Sequence, residues 1–363
     1  MTLSPLKAHP RSLRLFRLGR FLLLLMPLML SSCLNTAAPL KLTTAQIVVF
    51  GTFVDISVYT KEPEQAQRAI NALEQRFQNF HHAWHAWEQG GIVSKINRAI
   101  QAETPITVAQ SIKDFILKSQ TLSAQSDYLF DPGLGKLIAL WGFHSENWSG
   151  PPPSETQINH WLKTRPSIAD IQFNGLTLSS RNPNVQLDFG GNAKGLALDI
   201  AMHQLKTAGI ENAIVNIGGD LRVIGSKNHQ AWRIGIQNPN TVNGKSTTNQ
   251  SAQPIAMVEL IGDESLVTSG TYQRFFEWQG QTFSHILDPN TGRPAQSFAS
   301  VSVLHKDATT ADTAATALLI AGPDRWQAVA KKMGIEHVFI IDRAGQILQT
   351  PPMAERTKIL AQN

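Results

Sequence analysis

Asp312 and Thr316 are the residues from which chemistry is most easily built. In Thr310-Ala-Asp-Thr-Ala-Ala-Thr-Ala-Leu a helical pattern sets them four residues apart and so on one face. A carboxylate, a hydroxyl and nearby main-chain carbonyls are hard oxygen donors, the kind that suits Mg²⁺, and Mg²⁺ commonly takes further ligands from substrate phosphates. The same Asp close to a helix start, with Thr309 or Thr310 as N-cap, would also complement the helix dipole with no metal at all. His285, in Ser284-His-Ile-Leu-Asp-Pro-Asn-Thr-Gly-Arg-Pro294, stands where a strand hands over to a Pro/Asn/Gly turn. A general base needs such a place, held firmly yet reachable, although a lone His there also serves as plain structure.

Two glycine pairs offer close backbone approach. Leu187-Asp-Phe-Gly-Gly-Asn-Ala-Lys-Gly195 puts Gly190 and Gly191 after a strand and Lys194 at a helix start. That is either an anion cradle, with main-chain N–H groups and a helix N-terminus, or a tight strand-to-helix connection with a solvated Lys. It is not a P-loop, since no Ser or Thr follows the Lys, and it is not GxGxxG. The second pair, Asn216-Ile-Gly-Gly-Asp220, is also plain hairpin chemistry. His81, His82 and His85 lack a Cys or acidic partner at a recognisable metal spacing and read as a polar helix end. Beside them Trp84 and Trp87 are either core or a π face for a heteroaromatic ring.

The elements that must position these groups alternate in type. A strand is expected over Ile47–Tyr59, a helix over Pro63–Phe80 and another over Asp114–Ala124, then a loop running into a short helix in FDPGLGKLIALWGF. His144–Ser154 reads as a surface connection. Short strands follow over Ile171–Leu178 and Val185–Phe189, then a helix over Lys194–Thr207 with apolar residues at 196, 197, 200, 201 and 204. AIVNIGG, LRVIG, WRIGIQ, IAMVELIG and FFEWQGQTFSHILD are short strands with turn residues between them, which points to antiparallel pairing and an α+β fold more than to a βαβ array. Asn238–Pro254, polar and low in complexity, is expected to be a flexible loop between two strands. The chain ends with a helix from Thr310 to Ala321 stopped by Gly322-Pro323, a second helix to Gly334, a strand over Glu336–Ile341 and a hairpin.

Of 363 residues, 42% are apolar and 16% charged, with 25 Gly and 19 Pro, enough for one large core or two modest ones and unlike a disordered chain. The net charge is +5, but Lys7, Arg11, Arg14, Arg17 and Arg20 sit in the first 32 residues with no acid, so the rest is neutral. Binding to nucleic acid therefore has little electrostatic basis. The apolar run Phe21–Leu30 is too short for a comfortable span and fits a secretory h-region. Leu-Ser-Ser-Cys33, ending at the only cysteine, resembles a bacterial lipobox in which the thiol is acylated. The expectation is a signal over 1–32, a lipidated tether over 33–46 and a soluble body anchored to the inner membrane on its periplasmic side, with the inner leaflet of the outer membrane as alternative.

In chain order the segments GT at 51–52, SxxN at 94–97, FD and LWGF between 130 and 143, DFGGNAKGLALD, NIGGDLRVIG, TSGTYQR, HILDPNTGRP and ADTAATAL are similar to the motifs of the ApbE-like FAD:protein FMN transferase family. The resemblance implies largely antiparallel sheets with packed helices over 47–363 and an FAD cleft between two halves. It implies Mg²⁺-dependent transfer of FMN from FAD to a Thr or Ser hydroxyl of an acceptor protein, with AMP released. The acceptor would be a subunit of a membrane redox complex or a secreted flavoprotein. By match to the motifs, Asp312 and Thr316 would hold the metal with carbonyls near Gly191 and Ala315. Asp188, Lys194, Leu129, Phe130, Asp131, Trp87 and the strand from His285 to Leu287 would hold FAD, and His285 would be the base. Phe50 stands where relatives commonly have Met and could cover a flavin or adenine face. FAD hydrolysis with water as acceptor, or a flavin-carrying lipoprotein without catalysis, are the alternatives.

Overall fold

In the computed structural model, residue 2 and residues 39–145, 148–239 and 254–360 are described. The signal, Cys33 and residues 240–253 of the expected loop lie outside them. Eight strands form one sheet, β1 (Lys41–Val49), β2 (Thr52–Thr60), β3 (Asn212–Ile217), β4 (Asp220–Ile224), β5 (Glu264–Gly270), β6 (Phe298–His305), β7 (His337–Asp342) and β8 (Ile347–Gln349). They lie side by side in chain order, and every neighbouring pair is antiparallel. The sheet is thus a meander interrupted by long insertions, which bears out the expected α+β class.

Alternation along the central strands feeds two cores at once. Val338 and Ile340 of β7 point into one, with Val301, Val303, Val267 and helix residues Ala314, Ala317 and Leu318. Phe339 and Ile341 point the other way, onto Leu221, Val223, Leu266, Trp232 and Val258. Side chains alternate across a strand, so a strand buried on both faces must be apolar at nearly every position, as VFII of β7 is. The first face is covered by helices α1 (Pro63–Trp84), α2 (Gln110–Gln125), α3 (Ala193–Thr207) and α4 (Ala308–Met333). The second is covered by a three-stranded sheet of Trp232–Gln237, Pro254–Leu260 and Thr357–Ile359. Among the described residues no helix is long and apolar enough to cross a membrane.

Two expectations at the start of the fold need correction. The single strand over Ile47–Tyr59 is two strands, paired from Lys41↔Thr60 to Val49↔Thr52. Phe50 and Gly51 join them with φ of 61° and 68°, the two left-handed residues that a twisted two-residue hairpin requires. An aromatic in that conformation is uncommon, so the pair reads as continuous strand from sequence. The tether cannot reach residue 46, because 41–46 are already paired in β1. The break expected at Gly322 is present: a helix stands on either side of it, and Gly322 itself takes φ 68° and ψ −176°.

α3 and α4 cross with no room to spare at Gly195. A Cβ built there would lie 2.4 Å from the Ala308 carbonyl oxygen and 2.7 Å from Thr309 Cα, both main chain. Gly195→Ala is therefore expected to lower stability by about 3 kcal/mol in urea unfolding, because neither helix can yield without moving its first turn.

Candidate active site

The first turns of α3 and α4 are fixed by each other's carboxylates. Asp312 Oδ2, on α4, accepts from Gly195 N at 2.9 Å in the first turn of α3. Asp199, on α3, accepts from Ala308 N at 2.8 Å, Thr309 N at 3.0 Å and Thr309 Oγ1 at 2.6 Å in the first turn of α4. The in-sequence N-cap of α4 is Asp307, whose Oδ1 accepts from Thr310 N at 2.8 Å. That corrects the expected Thr309 or Thr310 cap: the Thr309 hydroxyl is spent on Asp199. Lys118 of α2 holds Asp307 at 2.7 Å, and Arg222 of β4 pairs with Asp199. Orphan N–H groups at helix starts favour such anions, so this lattice sets the rotation of α4.

That rotation carries Asp312 and Thr316 to the inner end of the Gly-Gly turn. Thr316 Oγ1 is 2.9 Å from Ser269 Oγ of β5 and 3.8 Å from where a Gly191 Cβ would stand. The Phe130 ring is 3.0 Å from that same point, so a side chain at 191 would collide with it. Gly191, Thr316 and Phe130 are therefore brought together. Ala315 packs its methyl into the core, which leaves only its carbonyl to contribute. Burial, and after it the Asp220 charge, pushes the Asp312 carboxyl up to about 8, with Lys194 and the Gly195 N–H acting the other way. A buried carboxyl so short of positive charge, beside a hydroxyl and main-chain oxygens, fits a hard divalent cation such as Mg²⁺. Among the described residues no group of three His, Cys, Asp or Glu is placed to hold a metal, so neutral oxygens would complete the set.

Lys194 is paired with Asp220, at the start of β4 just past the Gly218–Gly219 turn. Asp220 Oδ1 also accepts from Thr268 N at 3.0 Å. Burial opposes the Lys194 charge, but Asp220 and then Asp312 outweigh it and its pKa is raised. Sequence reasoning missed Asp220, which read as hairpin chemistry because its partner is far away in the chain. It missed Arg274 as well. That guanidinium lies 3.9 Å from the side-chain position of Gly51 and over the Trp148 ring at 5.9 Å.

The Arg274 carbonyl organises His285. It lies 3.0 Å from His285 Nδ1 and accepts from His285 N at 3.0 Å. A carbonyl can only accept, so the neutral ring carries its proton on Nδ1 and keeps a lone pair on Nε2. Burial first, then the Arg274 charge, lowers the imidazole to about 4, which leaves it uncharged at neutral pH.

The expected flavin residues divide into two groups. Trp87 and Asp188 meet directly, Trp87 Nε1 donating to Asp188 Oδ2 at 2.8 Å while Gly190 N donates to Oδ1 at 2.8 Å. Leu129 and Leu287 are buried in separate clusters, so their side chains build walls and do not reach out. The Phe50 ring packs edge-on against Phe77, Phe80 and His81. The Asp131 side chain is consumed locally: Oδ1 accepts from Gly133 N at 2.7 Å and Ile168 N at 2.8 Å, and Oδ2 from Ser167 Oγ at 2.5 Å. Its part in any flavin contact is to shape the 129–133 loop, which Asp188 N ties down by donating to the Pro132 carbonyl at 2.8 Å.

Residues 50–339 match the model of the ApbE family. The chain belongs to that family. It is 35% identical over 319 residues to an FAD:protein FMN transferase of Rhodobacter capsulatus, covering 88% of this chain and 59% of that relative. It is 33% identical to the Vibrio cholerae protein of the same name, over 69% of this chain and 72% of the other. Among solved structures it resembles the ApbE protein of Thermotoga maritima (TM-score 0.77, 29% identity, 87% of this chain and 99% of that one). It also resembles the flavin transferase ApbE of Vibrio cholerae (0.74, 26%, 88% and 100%). The names of these ApbE relatives bear out the expectation of a flavinyltransferase enzyme.

Burial raises the Asp131 carboxyl from 3.8 to about 6 against the hydrogen bonds from Ser167, Ile168 and Gly133. A carboxyl whose pKa is higher in the folded state favours the fold most below 3.8 and loses that contribution as pH rises through about 6. The swing amounts to roughly 2–3 kcal/mol. Asp131→Asn keeps an acceptor for both N–H groups and turns its amide to Ser167, so urea unfolding from pH 4 to 7 is expected to show a flatter profile than wild type.

Proposed function

We propose that this chain transfers FMN from FAD to a Thr or Ser hydroxyl of an acceptor protein, with Mg²⁺ and with AMP as the leaving product. The observation that carries the reading is one convergence: the oxygen set of Asp312, Thr316 and Gly191, the cations Lys194 and Arg274, and a neutral His285 with Nε2 free. Mg²⁺, held by Asp312 and Thr316 with the Gly191 and Ala315 carbonyls, would neutralise the pyrophosphate. His285 Nε2 takes the proton of the acceptor hydroxyl as its oxygen bonds to the FMN phosphorus. The bond from that phosphorus to the bridging oxygen breaks, and its electrons leave with AMP. Arg274 serves twice, its carbonyl fixing the His285 tautomer and its guanidinium adding positive potential for the phosphates. Lys194 is kept charged by Asp220, so it meets an anion as a cation. The rest is in-line positioning.

Hydrolysis of FAD uses the same bonds with water in place of the hydroxyl, so the acceptor decides between the two. A flavin carrier would need Trp87 and Asp188 but not an uncharged His285 held by a carbonyl, which favours catalysis. The leader and Cys33 support lipid anchorage on the periplasmic side of the inner membrane, and the acceptor would be a membrane redox subunit or secreted flavoprotein.

Mass spectrometry of a Thr-containing acceptor domain incubated with the chain, FAD and Mg²⁺ is expected to show a gain of one FMN, with AMP released. His285→Ala should slow this on the order of a hundredfold or more while FAD still binds. Asp312→Ala should abolish the transfer whatever the Mg²⁺ concentration. Free FMN with unmodified acceptor would favour hydrolysis, and intact FAD would favour a carrier. Cys33→Ser is expected to move the protein from the membrane to the soluble fraction of cells.

A further inference from the structure

We propose that His85 is a positioning residue that holds Trp87 against Asp188 only while its Nδ1 is unprotonated, so that the flavin site loosens in mild acid. This rests on the reading of Trp87 and Asp188 as flavin-binding residues. α1 ends at Trp84, and His85 turns out of the helix with φ −65° and ψ 119°. Its Nδ1 then accepts from two main-chain donors, Trp87 N at 3.3 Å and Glu88 N at 3.0 Å. Donors at the second and third residues ahead are what an Asn or Asp side chain binds when it closes a turn. Two N–H groups aimed at one ring nitrogen fix the tautomer: Nδ1 is bare and the proton sits on Nε2, which faces Glu88 Oε1 at 3.7 Å.

The consequence is opposite to that at His285. A proton added to His85 Nδ1 meets two donors instead of a lone pair, and both bonds that shape the loop are lost together. The loop carries Trp87, whose indole N–H is held by Asp188 at 2.8 Å and whose ring lies 5.2 Å from that of His144. The other titratable and charged groups around His85 are His81, with its ring 5.5 Å away edge-on, His82 and Glu88. Beyond Trp87 stand His144 and Asp188, and the Phe50–Gly51 turn against His81 has Arg274 beside it. None of these groups can replace the acceptor that protonation of Nδ1 removes. His81, His82 and His85, read from sequence as a polar helix end, thereby include one residue that shapes the site.

The test is FAD affinity of the full chain by titration calorimetry at about pH 7.5 and about pH 5.5. In wild type the dissociation constant is expected to rise about tenfold in acid, the size of two lost main-chain hydrogen bonds. His85→Asn puts Oδ1 where Nδ1 stands and cannot titrate, so it should bind like wild type at the higher pH and stay nearly flat. His85→Ala should bind weakly at both. The same acid loss in wild type and His85→Asn, a flat wild type, or full affinity in His85→Ala would overturn the proposal. Failure of wild type to bind FAD at about pH 7.5 would instead overturn the flavin reading on which it stands.

Discussion

Two carboxylates, Asp199 and Asp312, each close the first turn of the helix that carries the other. Asp312 accepts from Gly195 in α3, and Asp199 accepts from Ala308 and Thr309 in α4. Neither helix can rotate or slide without leaving a carboxylate unpaired in the interior, a cost well above that of an ordinary cap. Lys194 lies at the start of α3, and Asp312 and Thr316 lie in the first turns of α4, so both halves of the proposed phosphate and metal site inherit one rigid reference. Lys118 and Arg222 supply the positive charge that Asp199 and Asp307 need, which leaves Lys194 to Asp220 and the site.

The electrostatics divide along the same line. Around Asp199 and Asp307 each carboxylate is matched by helix N–H groups and a cation, as a structural lattice requires. Around Asp312 the matching is incomplete: desolvation wins over the single Gly195 bond and the Lys194 field, and its carboxyl is pushed up to about 8. Incomplete neutralisation at one buried carboxylate among well-paired ones is a sign of a site built for a charge from outside. His285 shows the converse, a base kept neutral by burial and by Arg274 and given its free lone pair by a carbonyl.

Much of this was legible in the residues, for reasons that can be named. β7 announces itself because burial on both faces leaves no polar position from Val338 to Ile341. Asp312 and Thr316 are legible as a pair because helical spacing puts four-apart residues on one face. What escaped is contact across distant segments. Asp220 looks like turn chemistry until Lys194 is placed beside it, and Asp131 looks like a ligand until Ser167 and Ile168 claim its oxygens. The N-cap of α4 was misplaced because Thr309 and Thr310 are good caps in general, and nothing local tells that Asp199 takes the Thr309 hydroxyl.

The hairpin at Phe50–Gly51 was hidden for a different reason, and it belongs to the site. A left-handed Phe breaks a local rule, and such breaks survive only where the surroundings fix them. Here the ring is held by Phe77, Phe80 and His81, while Gly51 lies beside Arg274. The neighbouring tip, Gly218–Gly219, is tied to β2 by Gly218 N donating to the Phe53 carbonyl at 3.1 Å, and it delivers Asp220. Of these two tight turns at one end of the sheet, one delivers Asp220 and the other stands against Arg274, which follows β5. The strained turn is the one whose outer side faces the histidines of α1 and, through His85, Trp87. Strain in β1–β2 and the shape of the Trp87 loop are thus linked by ring contacts from Phe50 to His81 to His85, which joins the sheet to the flavin-facing side of the site.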